Sequence, residues 1–138
     1  MVDSVTLETA KVVIDACEQK ATDIGTPMVV AVTNAEGNLV AQHRMDSALL
    51  ASLDISKNKA YTAAAVKLPT HELAEATQPG ESLYGLQNTD QGRMVIFGGG
   101  FPLTHGGEIV GALGVSGGSV EEDMDVAQAG LDAFENIQ

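Results

Sequence analysis

The sequence predicts one α/β (α+β) domain built on an antiparallel sheet. Two observations carry this. Its β-branched runs come in pairs joined by short turn sequences rather than by helices, which is hairpin chemistry. Its amphipathic stretches lie at the two ends and in the middle of the chain, not between every pair of strands. A length of 138 residues makes residues 1–138 a single domain, and a 44% hydrophobic content supplies its core. With no Trp and 4% aromatics, that core is aliphatic and rich in alanine.

The elements follow in order. Leu7, Ala10, Ile14, Cys17, Ala21 and Ile24 recur at three- and four-residue steps, one face of a helix over residues 6–24. Gly25 ends it and Pro27 blocks its continuation. MVVAVT is a strand, NAEG a turn and NLVAQHR the returning strand. Residues 47–68 are helical and rich in Ala, Leu and Lys, and Pro69 stops them. Thr70 then caps a short helix, THELAEAT. Residues 78–91 form a polar loop carrying two large residues, Leu83 and Tyr84, which suits a functional or partner surface. MVIFG reads as a strand, and FPLTHGGEIVGALGVSGG as a hairpin with its tip at THGG or HGGE. Ser119 to Glu122 is a capping box. It opens a last helix that turns Val120, Met124, Ala127, Leu131 and Phe134 inward. The order is α-β-β-α-α-β-β-β-α, with five strands.

The stretch from Phe97 to Asp123 holds nine of the fifteen glycines. Gly106 and Gly107 serve a hairpin turn. Gly98, Gly99 and Gly100 imply a bulge, a bend or the close approach of another group. Gly111 and Gly114 would let a helix or a second subunit pack tightly. Gly117 and Gly118 form a strand-to-helix turn whose backbone N–H groups favour anions. Glu121, Glu122 and Asp123 already supply negative charge there, and neither GxxxxGK[ST] nor GxGxxG opening a βαβ unit is present.

The net charge of −12 excludes nucleic acid and an anionic membrane surface as partners. Arg44, Lys57, Lys59 and Lys67 are four of the seven cations and fall within 24 residues, an obvious place for a small anionic ligand. A Lys on an apolar helix face can serve as a base or amine nucleophile. Cys17, the single cysteine, forms no intramolecular disulfide and is read as a small core residue; its solitude fits a reducing cytoplasm. Residues 1–11 do not look like a signal peptide, and no segment approaches transmembrane length. His43, His71 and His105 lack the spacing of a local metal clamp. A haem iron needs only one or two side-chain ligands, and these three are the candidates. Ser116 lies in GVSGG, which is not the GxSxG elbow of a hydrolase.

RMDSALLASLDISKNKAYTAAAVKLPT, followed by FGGGFPLTHGGEIVGALGVSGGSVEED and DVAQAG, resembles the GlcG/HbpS-like family, which includes the C-terminal domain of PduO-type cobalamin adenosyltransferases and is also called haem-degrading. Arg44–Asp46, Lys59–Ala60, Gly99–Gly100, Pro102, Gly114–Gly118 and Asp123 carry the resemblance, which spans residues 5–135. It implies a five-stranded antiparallel sheet flanked by helices, in profilin-like or PAS-like layers. It also implies homo-oligomers and, for some members, haem. One branch carries a haem-ligating histidine on the first helix, whereas residues 6–24 here contain none.

Three functions are expected from this. The first is a cytoplasmic oligomer that binds a small anionic ligand, with haem leading. In it Arg44 and Lys59 hold carboxylates or propionates, backbone at Gly99, Gly100, Gly117 and Gly118 completes the cradle, and His43, His71 or His105 supplies the iron ligand. The second is an enzyme acting on a small carboxylate or a reactive imine or carbonyl, with Lys59 as base or amine and Asp123 as general acid or base. The third is an accessory subunit with no ligand.

Overall fold

The computed structural model describes residues 4–138. The first helix, α1 (Leu7–Ile24), is capped by the Thr6 hydroxyl and closed by Gly25 in the left-handed conformation. Strands β1 (Val29–Asn34) and β2 (Leu39–Arg44) form the first hairpin. Helix α2 (Ala51–Val66) follows, then a 3₁₀ turn at Thr70–Glu72 and the four-residue α3 (Leu73–Ala76). A long segment with two further 3₁₀ turns leads to the second hairpin, β3 (Gly100–His105) and β4 (Glu108–Ser116). Helix α4 (Val120–Asn136) completes the chain, opened by the expected capping box of Ser119 and Glu122.

The sheet has four strands, all antiparallel, in the order β2-β1-β4-β3. Each hairpin is intact, and the two join through β1 and β4. The fifth strand expected at MVIFG does not form. There the Val95 N–H donates to the Thr62 hydroxyl on α2, not to a neighbouring strand. Gly99, at φ +122°, then turns the chain into β3. An apolar β-branched run is necessary for a strand but not sufficient; it also needs a free ladder.

Layers cover both faces of the sheet. On one face α2 lies against β4, β1 and β3. Its alanines make that contact: Ala60, Ala63 and Ala64 pack on Ala112. Gly114 is where the backbones touch, since a Cβ there would sit 2.6 Å from the Ala60 nitrogen. On the other face α1 and α4 pack on each other and on the sheet, around Val13, Ile14, Cys17, Val30, Val32, Leu113 and Val115. Covered on both sides, β1 is apolar without alternation.

Helix α4 is rotated from expectation. Asp123, Val126, Ala127, Gly130 and Phe134 point inward, while Val120 is exposed and Met124 and Leu131 are only part-buried. Gly130 sets this rotation, because a Cβ there would meet the Cys17 sulfur at 2.5 Å. Among the described residues no helix is long and apolar enough to cross a membrane.

Candidate functional site

Lys59 lies on the sheet-facing side of α2 and is wholly buried. Its side chain runs beneath the end of β4 to the first turns of α4, so one residue ties the two helical layers together. Its ammonium donates to the Val115 carbonyl and to Asp123 Oδ2, each at 2.8 Å. The Phe97 ring covers it, with its centroid 5.1 Å away. Asp123 is 3% exposed. Its other oxygen accepts the Gly118 N–H at 2.9 Å, and the Gly117 backbone acts in the same sense.

The glycine-rich turn therefore forms an anion cradle, and Asp123 occupies it. Gly100, also expected to face a ligand, donates its N–H to the Thr70 hydroxyl at 2.9 Å. Gly99 has another role: a Cβ there would lie 2.7 Å from the Lys59 nitrogen. The backbone donors of Gly100 and Gly118 are thus satisfied from within. Burial pushes the Lys59 ammonium below its ordinary pKa and the Asp123 carboxyl above its own; their mutual attraction opposes both shifts.

The four cations between residues 44 and 67 do not form one patch. Arg44, exposed at the end of edge strand β2, donates twice to the Ala48 carbonyl. Lys57 lies on the exposed side of α2, 3.9 Å from Asp54. Lys67 caps the C-terminus of α2 in the left-handed conformation. Helix geometry sends Lys57 and Lys59 to different faces, which a count of charges along the sequence does not show.

The three histidines occupy three separate places. His71 stands beside Gly98, edge-on to Phe101 with ring centroids 5.7 Å apart, and its Nδ1 is buried without a hydrogen-bond partner. His105, on the second hairpin, bonds Gln138 and borders an apolar cavity of about 300 Å³ with Val5, Val110 and Phe134. His43, half exposed on β2, bonds Glu18 of α1 through Nδ1 at 3.1 Å. Among the described residues its Nε2 makes no hydrogen bond. Among the described residues no group of three or more His, Cys, Asp or Glu could hold a bare metal ion.

Sequence reasoning missed a third cluster. The Tyr61 hydroxyl donates to Asp90; the Arg93 guanidinium bonds both of them and stacks on the Tyr61 ring at 4.0 Å. The only signal was Asp90 and Arg93 at the end of a long polar loop, with Tyr61 on α2, 29 residues before Asp90.

Over residues 5–132 the sequence matches the family described as haem degrading protein HbpS-like. This chain belongs to that family. Among HbpS-like relatives, an uncharacterised 15.0 kDa protein of Citrobacter freundii, from the dhaT-dhaS intergenic region, is 49% identical over 97% of this chain and 94% of its own. The PduOC–haem complex superposes with a TM-score of 0.91 at 42% identity, covering 94% of each chain. HbpS superposes with a TM-score of 0.85 at 30% identity, covering 94% of this chain and 89% of the other.

Proposed function

We propose that this HbpS-like protein binds haem, with His43 as the axial ligand. The observation that carries the choice of ligand is the His43–Glu18 pair. A carboxylate on Nδ1 fixes the ring and its tautomer and leaves Nε2 free to bind iron, the usual support for a metal-ligating histidine. Ala41 and Met45, part-buried on the same side of the strand, offer apolar flanks to a porphyrin. The family assignment and the similarity to PduOC, solved with haem, support the same ligand. Arg44, exposed beside His43, is the proposed partner of a propionate. Bound haem would bring an iron centre able to take up a small ligand or change oxidation state. In this reading the protein works as a cytoplasmic homo-oligomer.

The test is a haemin titration followed in the Soret region. Wild type, His71→Ala and His105→Ala should each show a shifted band, and His43→Ala should lose it. An unshifted band in wild type would remove the haem reading. A normal band in His43→Ala would reassign the ligand.

A second reading is favoured by the desolvated Lys59 amine beside Asp123: an enzyme acting on a small carboxylate or carbonyl compound, with Lys59 as base and Asp123 as its acid–base partner. Turnover that survives Lys59→Ala in a folded variant would end it.

A further inference from the structure

From Gln78 to Phe97 no residue is buried. This twenty-residue segment lies over the side of the protein where Lys59 is enclosed, and its last residue, Phe97, is the lid on the Lys59 ammonium. Stretches of this length normally hold themselves with a small core of their own. This one is held by a few polar bonds. The Tyr61–Asp90–Arg93 cluster pins its middle to α2. Thr62, one residue along the helix, accepts the Val95 N–H at 2.9 Å and donates to the Arg93 carbonyl at 3.2 Å.

Other features mark the closed position as unrelaxed. Asp90 and Gln91, neither of them glycine, have φ of 53° and 58°, the disfavoured left-handed region. Gln87 Oε1, on the segment, and His71 Nδ1, beside Gly98, are buried without partners. Glycines stand near both ends, Gly80 and Gly85 in its first part and Gly98 to Gly100 directly after it, where the backbone can rotate.

We infer that residues 78–97 form a hinged strap that opens without global unfolding, with Tyr61, Asp90 and Arg93 as its clasp and Phe97 as the stopper over the Lys59–Asp123 pair. Opening uncovers the Lys59 amine where it meets Asp123, a receptor for a small carboxylic acid that competes with Asp123 for the ammonium. The inference does not depend on haem binding. It supplies the access to Lys59 that the second functional reading requires.

The experiment is reductive methylation with formaldehyde and cyanoborohydride, read for each lysine by peptide mass spectrometry across a urea series. Exposed Lys57 is the reference for free reaction. Modification of Cys17 by a thiol reagent, run in parallel, reports global unfolding. In wild type the Lys59 rate should rise at low urea with a shallow slope, while Cys17 stays protected until the main transition. Arg93→Met and Tyr61→Phe should each raise the Lys59 rate in water about tenfold and leave the Cys17 transition in place. If Lys59 and Cys17 share one urea dependence in wild type, there is no strap opening and the proposal falls. It also falls if hydrogen exchange across residues 85–97 quickens in the variants while Lys59 remains as unreactive as before, because the strap would then not be what covers the amine.

Discussion

The Lys59 ammonium and the Asp123 carboxylate meet at 2.8 Å in the interior, 64 positions apart in sequence, with almost no surface of either exposed. The bond links α2 on one face of the sheet to α4 on the other.

Removing one partner strands the other in a dry site. Lys59→Met and Asp123→Ala are each expected to cost about 3–5 kcal/mol in urea unfolding, and the double variant Lys59→Met/Asp123→Leu should recover most of that loss. Single losses below about 1 kcal/mol would mean that water reaches the pair in the native state.

The pair also sets a pH dependence. Burial already raises Asp123 in the folded state, and without Lys59 it rises further. A group whose folded pKa lies above its unfolded one stabilises at low pH, and that contribution disappears as pH climbs through the folded value. The stability gap between Lys59→Met and wild type should therefore narrow from neutrality down to the carboxylate range. A gap that widens on acidification would contradict the buried placement of Asp123.

Gly114→Ala pushes α2 off the sheet, because the nearest atoms in front of the new methyl are α2 backbone, the Ser56 carbonyl and the Ala60 nitrogen, which cannot turn aside. A loss of about 2–3 kcal/mol is expected by chemical denaturation. Stability within error of wild type would show that α2 can move away at little cost.

At the N-terminus of α4 the Glu122 carboxylate is held below its ordinary pKa by the Ser119 backbone N–H, with help from the Thr26 hydroxyl. A depressed folded pKa gives stability that is present above the unfolded value and lost as pH falls through the folded one. Glu122→Gln should thus flatten the acid limb of the stability curve, and Ser119→Ala should cost about 1 kcal/mol at neutral pH. An acid limb identical to wild type in Glu122→Gln would place the acid-labile groups elsewhere.

If Glu18 orients His43, Glu18→Ala should weaken haemin affinity by about 10–100-fold while leaving the Soret position that of a histidine complex. Unchanged affinity would make Glu18 a bystander.

The parts of the fold readable from sequence are those with local causes. Gly25 and the Ser119–Glu122 box set helix ends within a few residues, and Gly106–Gly107 marks the hairpin tip. The absence of the strand expected at MVIFG was decided by Thr62, more than thirty residues away. The rotation of α4 was decided by Gly130 against Cys17, a contact between opposite ends of the chain. Lys59 and Asp123 stood out as chemically capable residues, but nothing local showed that they would face each other. The same holds for the cradle of Gly117 and Gly118: the donors were visible, the internal carboxylate that fills it was not. His43 was legible as a strand residue, whereas its partner Glu18 lay on the solvent side of a helix read only for its apolar face.

Cys17, sealed where α1 crosses Gly130 of α4, is wholly buried, and burial pushes its thiol up to about 12. At any physiological pH it is neither a nucleophile nor within reach of an oxidant. The fold is therefore indifferent to the redox state around it. An oxidising space and a reducing one would leave this thiol the same, so the work of the chain is not tied to either by its one sulfhydryl.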